Sequence, residues 1–296
     1  MEVGMRLRIL AADSMGVRSL ALAVETSEGL IVIDPGASLA PRRFGLPPHE
    51  LEKRELELAL DRIRDAMGEA SVVVITHYHY DHYIRGEPDL YRGKLLIIKH
   101  PRRDINRSQA IRSYRLLKKE GVAEIARDIV YGDSQTVSIG RLRVDLSPPV
   151  WHGYPGTRVG RVIMVRIVDR DESLVYTSDV QGPADPAALE ILRSWSRPRP
   201  RVMVVDGPPT YFAGFKVPVE HVEEGLRGMA EAVRLVKPEV LVVDHHLLRD
   251  IRYAEKINDT MRASREVGVK VLTAASYMGV EERLLEARRR ELWREG

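Results

Sequence analysis

The chain has 296 residues, 44% of them hydrophobic and 30% charged, which is the composition of a globular protein rather than a disordered one. No apolar stretch is long enough to cross a bilayer and the first residues lack the pattern of a signal peptide, so we expect a soluble, cytoplasmic protein. A net charge of +3 does not by itself indicate a nucleic-acid binder, and the absence of cysteine excludes disulfides and thiolate metal sites.

The first part of the chain alternates apolar and polar residues in the way that paired strands do. We predict strands at residues 6–12, 20–25 and 30–34, which suggests an antiparallel start. Apolar residues at helical spacing then predict a helix through residues 56–67. The apolar run at residues 71–76 predicts a buried strand.

Residues 102–119 are rich in arginine, and we predict a helix there, within an insertion at about residues 100–130. Guanidinium groups bind phosphates well, but a solvated helix face has the same composition, so both interpretations stay open. Arginine outnumbers lysine throughout the chain, which fits either a thermophilic organism or a biased genome. The arginines concerned are Arg102, Arg103, Arg107, Arg112 and Arg115.

The second half repeats the plan of the first, with strands followed by alternating helix and strand. A clear apolar stripe predicts a helix at residues 222–236. Since no linker separates the halves, we predict one α/β domain over residues 1–296, with two packed mixed sheets and helices outside. Its strands are predicted at residues 135–139, 141–147, 160–168, 173–177, 202–206, 240–244 and 269–273.

The amphipathic tail at residues 281–293 is the last predicted element. Its spacing is compatible with packing on its own domain or on a second subunit, so an oligomer remains possible.

The strongest chemical signal is the sequence Thr-His-Tyr-His-Tyr-Asp-His at residues 76–82, directly after a predicted strand. His77, His79, Asp81 and His82 are imidazole and carboxylate groups, which zinc and similar divalent ions prefer as ligands. Such a pattern is improbable by chance in a chain with nine histidines. One loop of this kind can serve two adjacent ions.

This loop resembles the hallmark of the metallo-β-lactamase superfamily, which implies an αβ/βα four-layer sandwich. Four further family positions occur in the expected order. They are Asp34 in Ile-Val-Ile-Asp-Pro-Gly, His152 in Ser-Pro-Pro-Val-Trp-His-Gly, Asp179 in Leu-Val-Tyr-Thr-Ser-Asp, and His245 or His246 in Val-Asp-His-His. Together with Asp206-Gly-Pro-Pro-Thr-Tyr, these segments are most similar to an archaeal family of the superfamily, a likeness that implies a fold but no substrate.

The resemblance also implies a role for each residue. His77, His79 and His152 would bind one ion, and Asp81, His82 and one of His245 and His246 would bind a second. Asp179 would bridge the two ions. Asp34 would orient the loop of residues 76–82, called the ligand loop below. We favour His245 as the last ligand, because family members place it after a small polar residue, here Asp244.

Two divalent ions about 4 Å apart hold a shared water and lower its pKa, so hydrolysis is the natural chemistry. Zinc is expected, with iron or manganese as alternatives. Asp81 would also steer the nucleophile, and Asp206 is either a proton carrier or a turn cap. Arg18 and Lys216 are candidate contacts for an anionic substrate.

The substrate is expected to be a phosphodiester or a small ester or lactone. A tRNA nuclease is disfavoured, because such enzymes carry His-Glu-Ala-Thr where this chain has the Asp206-Gly-Pro-Pro-Thr-Tyr segment. Two alternatives remain: a nuclease acting on RNA or DNA, and a metal-bound binding module without catalysis. A membrane partner is not expected.

Overall fold

Six strands from the first half of the chain form a mixed sheet in the computed structural model, which describes residues 4–295. The first three strands pair antiparallel, and the next three are added in parallel in chain order. The strands are Arg6–Ala12 (β1), Leu20–Thr26 (β2), Gly29–Ile33 (β3), Val72–Ile75 (β4), Leu95–Ile98 (β5) and Asp128–Tyr131 (β6).

The second sheet follows the same plan with seven strands, in the order β15-β14-β13-β12-β11-β8-β7. Strands β7, β8, β11 and β12 pair antiparallel, and β13, β14 and β15 extend the sheet in parallel. A separate two-stranded ribbon consists of β9 and β10. The strands are Thr136–Ile139 (β7), Leu142–Leu146 (β8), Val150–Trp151 (β9), Arg161–Val162 (β10), Val165–Asp169 (β11), Glu172–Tyr176 (β12), Val202–Asp206 (β13), Val240–Asp244 (β14) and Lys270–Leu272 (β15).

The predicted single strand at residues 160–168 is wrong, because the chain leaves the ribbon after β10 and joins the sheet only at β11. Between them, the backbone N–H of Ile163 donates to the carbonyl oxygen of Thr76 at 3.2 Å. The N–H of Met164 donates to Ser147 Oγ at 2.8 Å. These two hydrogen bonds interrupt the strand. The first connects it to Thr76, at the start of the ligand loop.

Helices cover the outer faces of both sheets. The first begins with a reciprocal cap, since His49 accepts from the N–H of Leu51 and Glu52 accepts from the N–H of His49. In the arginine-rich segment, the helix predicted from residue 102 begins only at Arg107, and a π-helical turn at Arg115–Lys119 continues it. The helices are Glu50–Glu69 (α1), Arg107–Tyr114 (α2), Val122–Ile125 (α3), Pro186–Ser194 (α4), Val219–Val236 (α5), Tyr253–Lys256 (α6), Asn258–Val267 (α7), Ala274–Met278 (α8) and Arg289–Glu295 (α9).

Three apolar layers hold these elements together. The central layer lies between the sheets, where side chains such as Leu22 and Ile33 meet Val144 and Val204. One outer layer packs α1 on the first sheet, and the other packs α4, α5 and α7 on the second. The predicted αβ/βα four-layer sandwich is therefore confirmed. Among residues 4–295, no helix is long and apolar enough to span a membrane.

The C-terminal tail at residues 281–293 contacts the first helix of its own chain. Arg289 forms a fully buried ion pair with Glu52, with Nη2 2.6 Å from Oε1. It also donates to two backbone carbonyl groups in the loop before α1. Trp293 Nε1 donates to the carbonyl oxygen of Pro47 at 3.0 Å.

Candidate metal centre

The ligand loop leaves the carboxyl end of β4 and is fixed by Asp34 at the end of β3. The carboxylate of Asp34 accepts hydrogen bonds from Thr76 N at 2.7 Å, Thr76 Oγ1 at 2.5 Å and the Tyr176 hydroxyl at 2.8 Å. His82 Nδ1 lies 2.9 Å from the same carboxylate. The loop also packs directly on Gly36, where a Cβ atom would lie 2.2 Å from the backbone nitrogen of Tyr83. Asp34 therefore holds the loop at both ends.

Three histidines and Asp179 form the first candidate ligand set, with donor atoms within 4.8 Å of one another. Nε2 of His77 lies 3.5 Å from Asp179 Oδ2, and Nε2 of His152 lies 3.1 Å from it. Nδ1 of His79 is 3.1 Å from His77 Nε2. The other nitrogen of His77 faces two hydroxyl groups, and that of His152 faces the Gln181 amide. These neighbours orient both imidazoles towards Asp179.

Asp81, His82 and His245 form the second set. His245 Nε2 is 3.8 Å from Asp81 Oδ2 and 3.4 Å from Asp179 Oδ2, and His82 Nε2 is 3.2 Å from Asp179 Oδ2. Nδ1 of His82 is occupied by Asp34. The second set thus shares Asp179 with the first.

The Asp179 carboxylate lies between the two sets and is 1% exposed. Its Oδ2 atom lies within 3.5 Å of Nε2 in four histidines, which are His77, His82, His152 and His245. Within residues 4–295, the buried atoms His82 Nε2, His152 Nε2 and Asp179 Oδ1 make no hydrogen bond. Buried polar atoms are normally satisfied, so converging unpaired imidazole and carboxylate atoms fit a divalent cation.

Burial and neighbouring charges set the protonation of this cluster. Burial lowers the pKa of His77 to about 4, and the charge of His82 adds to the shift. For His245, burial also acts downward, but the carboxylates of Asp179 and Asp13 outweigh it and raise the pKa to about 10. Burial acts to raise the pKa of Asp179, but His82 and His245 hold it well below its usual range. Asp179 is therefore a fixed anion among imidazoles.

The adjacent histidines after β14 have different surroundings. His245 is buried and lies in the second set, as described above. His246 lines the cleft, and its Nδ1 is 3.0 Å from the Asp206 carboxylate. Asp206 also accepts from the backbone N–H groups of His246 and Gln181. Burial and the charge of Asp179 raise the pKa of Asp206 well above its usual range. The hydrogen bonds of Asp206 orient His246, which with Asp179 and His245 forms a further candidate ligand group.

Asp13 and Arg249 are among the site residues that were not predicted from the sequence. Asp13, after β1, lies 2.8 Å from His245 Nδ1 through its Oδ2 atom. Arg249 donates from Nε to Asp13 Oδ1 at 2.8 Å. Both side chains are buried. Neither stands in a motif with ligand spacing, so only the fold brings them to His245.

The centre opens into a cleft of about 1790 Å³. Arg18 and Lys216, the two predicted anion contacts, both line it. The guanidinium of Arg18 is engaged by Glu286 at 2.5 and 2.7 Å, whereas Lys216 lies over the ring of Phe212. Lys216 is therefore the freer of the two cations.

The arginine cluster at residues 102–119 is divided by the fold. Arg112 lines the cleft and stacks on the ring of Tyr80, and Arg115 donates to the Tyr80 hydroxyl at 3.4 Å. The backbone N–H groups of Arg102 and Arg103 instead donate to His100, which acts as a turn cap. Arg112 is the member of this cluster that lines the cleft.

Comparison with known proteins agrees with this geometry. A family model described as "Beta-lactamase superfamily domain" matches residues 30–246, which contain every predicted ligand. A UPF0282 protein from Aeropyrum pernix is 50% identical over 291 residues, covering 98% of this chain and 99% of the relative. The chain belongs to the UPF0282 family within the beta-lactamase superfamily. A second UPF0282 protein, from Methanopyrus kandleri, is 38% identical and covers 97% of this chain and 99% of its own length.

A solved structure shows the superfamily fold at much lower sequence identity. The metallo-beta-lactamase fold protein YhfI from Bacillus subtilis is 11% identical, with a TM-score of 0.55 over 91% of this chain and 95% of its own. At that identity the match supports the architecture alone. The archaeal family and the fold implied by the sequence motifs are both confirmed.

Proposed function

We propose that this chain is a metal-dependent hydrolase with two divalent ions, one held by His77, His79 and His152 and the other by Asp81, His82 and His245. The observation that carries the proposal is the position of Asp179, whose Oδ2 atom lies within 3.5 Å of four imidazole nitrogens from both ligand sets. A single carboxylate in that position suits a bridging ligand. Zinc is the first candidate metal, followed by iron and manganese.

Divalent ions bound at these residues would supply a nucleophilic water at neutral pH and charge stabilisation for the reacting group. The chain's own residues hold the ligands in place: Asp34 and Asp13 each contact Nδ1 of a histidine of the second set. Asp81 is 16% exposed and lines the cleft, and it would steer the nucleophile. Asp206 acts through His246, which it orients towards the cleft.

The charge of the cleft favours a phosphodiester over a neutral ester or lactone. Eight arginines and two lysines line it, against three aspartates, two of which belong to the ligand sets. Three of these ten cations, Arg18, Arg43 and Arg249, pair with Glu286 or Asp13. The other seven cations form no ion pair with any of residues 4–295. An anionic substrate would neutralise them.

A nuclease is the second candidate, and the size of the cleft supports it. Sites for small molecules usually enclose about 300–1,000 Å³, and this cleft is larger. At its mouth Phe215 is 79% exposed beside Lys216, a pairing suited to stacking a base next to a phosphate. A nucleic-acid strand would fill the cleft, and its phosphates would bind the cations that have no ion-pair partner.

The test of the proposed function is hydrolysis of a bis-aryl phosphodiester by metal-reconstituted protein, with a lactone panel in parallel. We expect phosphodiester cleavage that exhaustive chelation abolishes and that metal addition restores. His79→Ala should reduce the rate at least 10²-fold, because it removes a ligand of the first set. His100→Ala, which removes a histidine of a turn cap, is the matched control and should retain the wild-type rate.

Three results would contradict the proposal. Wild-type activity in His79→Ala, or activity that survives chelation, would place the reaction elsewhere. Metal-loaded protein that cleaves no ester class would favour a binding module without catalysis.

A further inference from the structure

Helix α2 docks on the ligand loop at Tyr78, which stands between two candidate ligands. The backbone N–H of Tyr78 donates to Gln109 Oε1 at 3.1 Å, and its carbonyl oxygen accepts from Arg112 Nη1 at 3.3 Å. Gln109 is buried, and its Nε2 atom donates to the carbonyl oxygen of Val159 at 2.8 Å. Because Gln109 and Arg112 are three residues apart, they share one face of α2. The fold therefore fixes the position of Arg112 relative to the ligand loop.

The same loop holds two guanidinium groups against one aromatic ring. Tyr80 stands between the candidate ligands His79 and Asp81, and its ring packs on the outer apolar layer of the first sheet. The Cζ atom of Arg85 lies 4.1 Å from the centre of this ring, and that of Arg112 lies 4.5 Å from it. A guanidinium that stacks on an aromatic ring keeps the N–H donors at its edge available for a phosphate.

These two arginines have no acidic partner among residues 4–295. On neighbouring segments, the carboxylate of Glu120 accepts from the backbone N–H of Gly86 at 2.8 Å, and that of Asp81 belongs to the second ligand set. Arg85 and Arg112 therefore place two like charges side by side on one ring. An anion bound to both would offset their repulsion and accept their N–H donors.

We propose that Arg85 and Arg112 form a subsite for a second phosphate of the substrate, one that is bound but not cleaved. The inference rests on the proposed function, because it takes the metal centre as the place where the scissile phosphodiester binds. Both arginines line the cleft, and both contact Tyr80 rather than a candidate ligand. The phosphate that they bind is therefore a neighbour of the scissile one. The substrate class is a phosphodiester that carries at least one further phosphate.

The test compares substrates that share the scissile diester and the leaving group and differ by one phosphate. Thymidine 5′-(4-nitrophenyl phosphate) is compared with its 3′-phosphorylated form, and thymidine 3′-(4-nitrophenyl phosphate) with its 5′-phosphorylated form. In at least one pair, the further phosphate should raise kcat/KM of the metal-reconstituted protein about tenfold, because it adds charge-assisted hydrogen bonds. The gain should appear mainly as a lower KM.

Arg85→Ala and Arg112→Ala should each reduce this ratio of kcat/KM values towards one. Both substrates of a pair meet the same variant, so any disturbance of the ligand loop cancels in the ratio. Tyr80→Phe keeps the ring and should retain the ratio. Arg252→Ala is the matched control, because Arg252 lines the same cleft and forms no ion pair with any of residues 4–295. It should also retain the ratio, since it removes a charge without touching the Tyr80 ring.

A terminal phosphate and the internal phosphate of a strand present the same chemistry to the two arginines. Esterifying the further phosphate with a second thymidine distinguishes these sources. A gain that is kept supports a subsite for a strand, and a gain that is lost supports a subsite for a terminal phosphate.

Equal kcat/KM values within both pairs would overturn the inference in wild-type protein alone. So would a ratio that survives Arg85→Ala, or one that falls equally in Arg252→Ala, since general charge would then explain it.

A binding measurement separates this inference from the proposed function. By isothermal titration calorimetry, metal-loaded wild-type protein should bind thymidine 3′,5′-bisphosphate about tenfold more tightly than either monophosphate. Arg85→Ala should lose this difference. Hydrolysis with equal ratios would reject the subsite and leave the proposed function standing, whereas tighter bisphosphate binding that depends on Arg85, without hydrolysis, would do the reverse.

Discussion

The pair His245 and His246 shows how one dihedral angle directs neighbouring side chains into different surroundings. Strand β14 ends at Asp244, and His245 then adopts a φ of 65°, in the left-handed region. The alternation of side chains along a strand therefore stops before either histidine. His245 turns inwards to Asp13 and the second set, whereas His246 turns to Asp206.

This geometry predicts different effects of the two alanine substitutions. His245→Ala should lower the metal content from about two ions per chain to about one, because it removes an imidazole from the second set. His246→Ala should keep both ions, since His246 lies outside the candidate set of Asp81, His82 and His245. Elemental analysis after metal reconstitution measures both. Loss of an ion from His246→Ala alone would transfer the ligand role to His246.

The sequence identified the candidate ligands more completely than the residues that contact them. His77, His79, Asp81 and His82 stand in one short motif, so their spacing alone indicated a metal site. Asp13 meets Arg249 across 236 positions of the chain. Such a contact has no local pattern, and it becomes visible only when β1 and β14 are placed in the fold.

At the scale of elements, most strands were predicted, and two strands of the first sheet were missed. Strands β1, β13 and β14 have the predicted bounds, because apolar runs bounded by turn residues mark them. Strands β5 and β6, with four residues each, were not predicted. Both follow the ligand motif and extend the first sheet in parallel.

The sequence left open whether the C-terminal tail packs on its own domain or on a second subunit. The ion pair that holds it to α1 predicts an effect on stability. Arg289 and Glu52 are fully buried and paired, so removing one partner leaves the other charged and uncompensated. Arg289→Met should lower the free energy of unfolding by about 3–5 kcal/mol. Denaturant unfolding followed by circular dichroism measures this change.

A double-mutant cycle separates the ion pair from simple packing of the tail. Arg289→Met combined with Glu52→Gln should be less destabilising than the sum of the single changes, since no unpaired charge remains. The exposed pair of Arg262 and Asp259 on α7 serves as the control, and Arg262→Met should change stability by less than about 1 kcal/mol. Additive effects at Arg289 and Glu52 would contradict the proposed coupling.

At the scale of the whole molecule, the two sheets place their functional groups along one edge. The carboxyl ends of β3 and β4 supply Asp34 and the ligand loop, and those of β12 and β14 supply Asp179 and His245. Both halves also contribute cations to the cleft, from Arg85 and Arg112 in the first to Arg252 and Lys256 in the second. Their convergence could not be predicted from a net charge of +3, because it depends on which faces meet.

This concentration of charge predicts how salt should affect binding if the nuclease candidate is correct. A single-stranded oligonucleotide that contacts several of these cations should lose affinity steeply with salt, with a logarithmic slope of about −0.7 per phosphate neutralised. Arg85→Ala and Arg112→Ala should each reduce that slope by about one contact, because neither arginine has an ion-pair partner in residues 4–295. Arg227→Ala, on the outer helix α5 and paired with Glu223, should leave it unchanged.

Fluorescence anisotropy at several salt concentrations measures the slopes. Every protein compared also carries His79→Ala, so that the oligonucleotide is not cleaved. A shallow slope, equal for wild type and the cleft variants, would reject the nuclease and leave a small phosphodiester as the substrate.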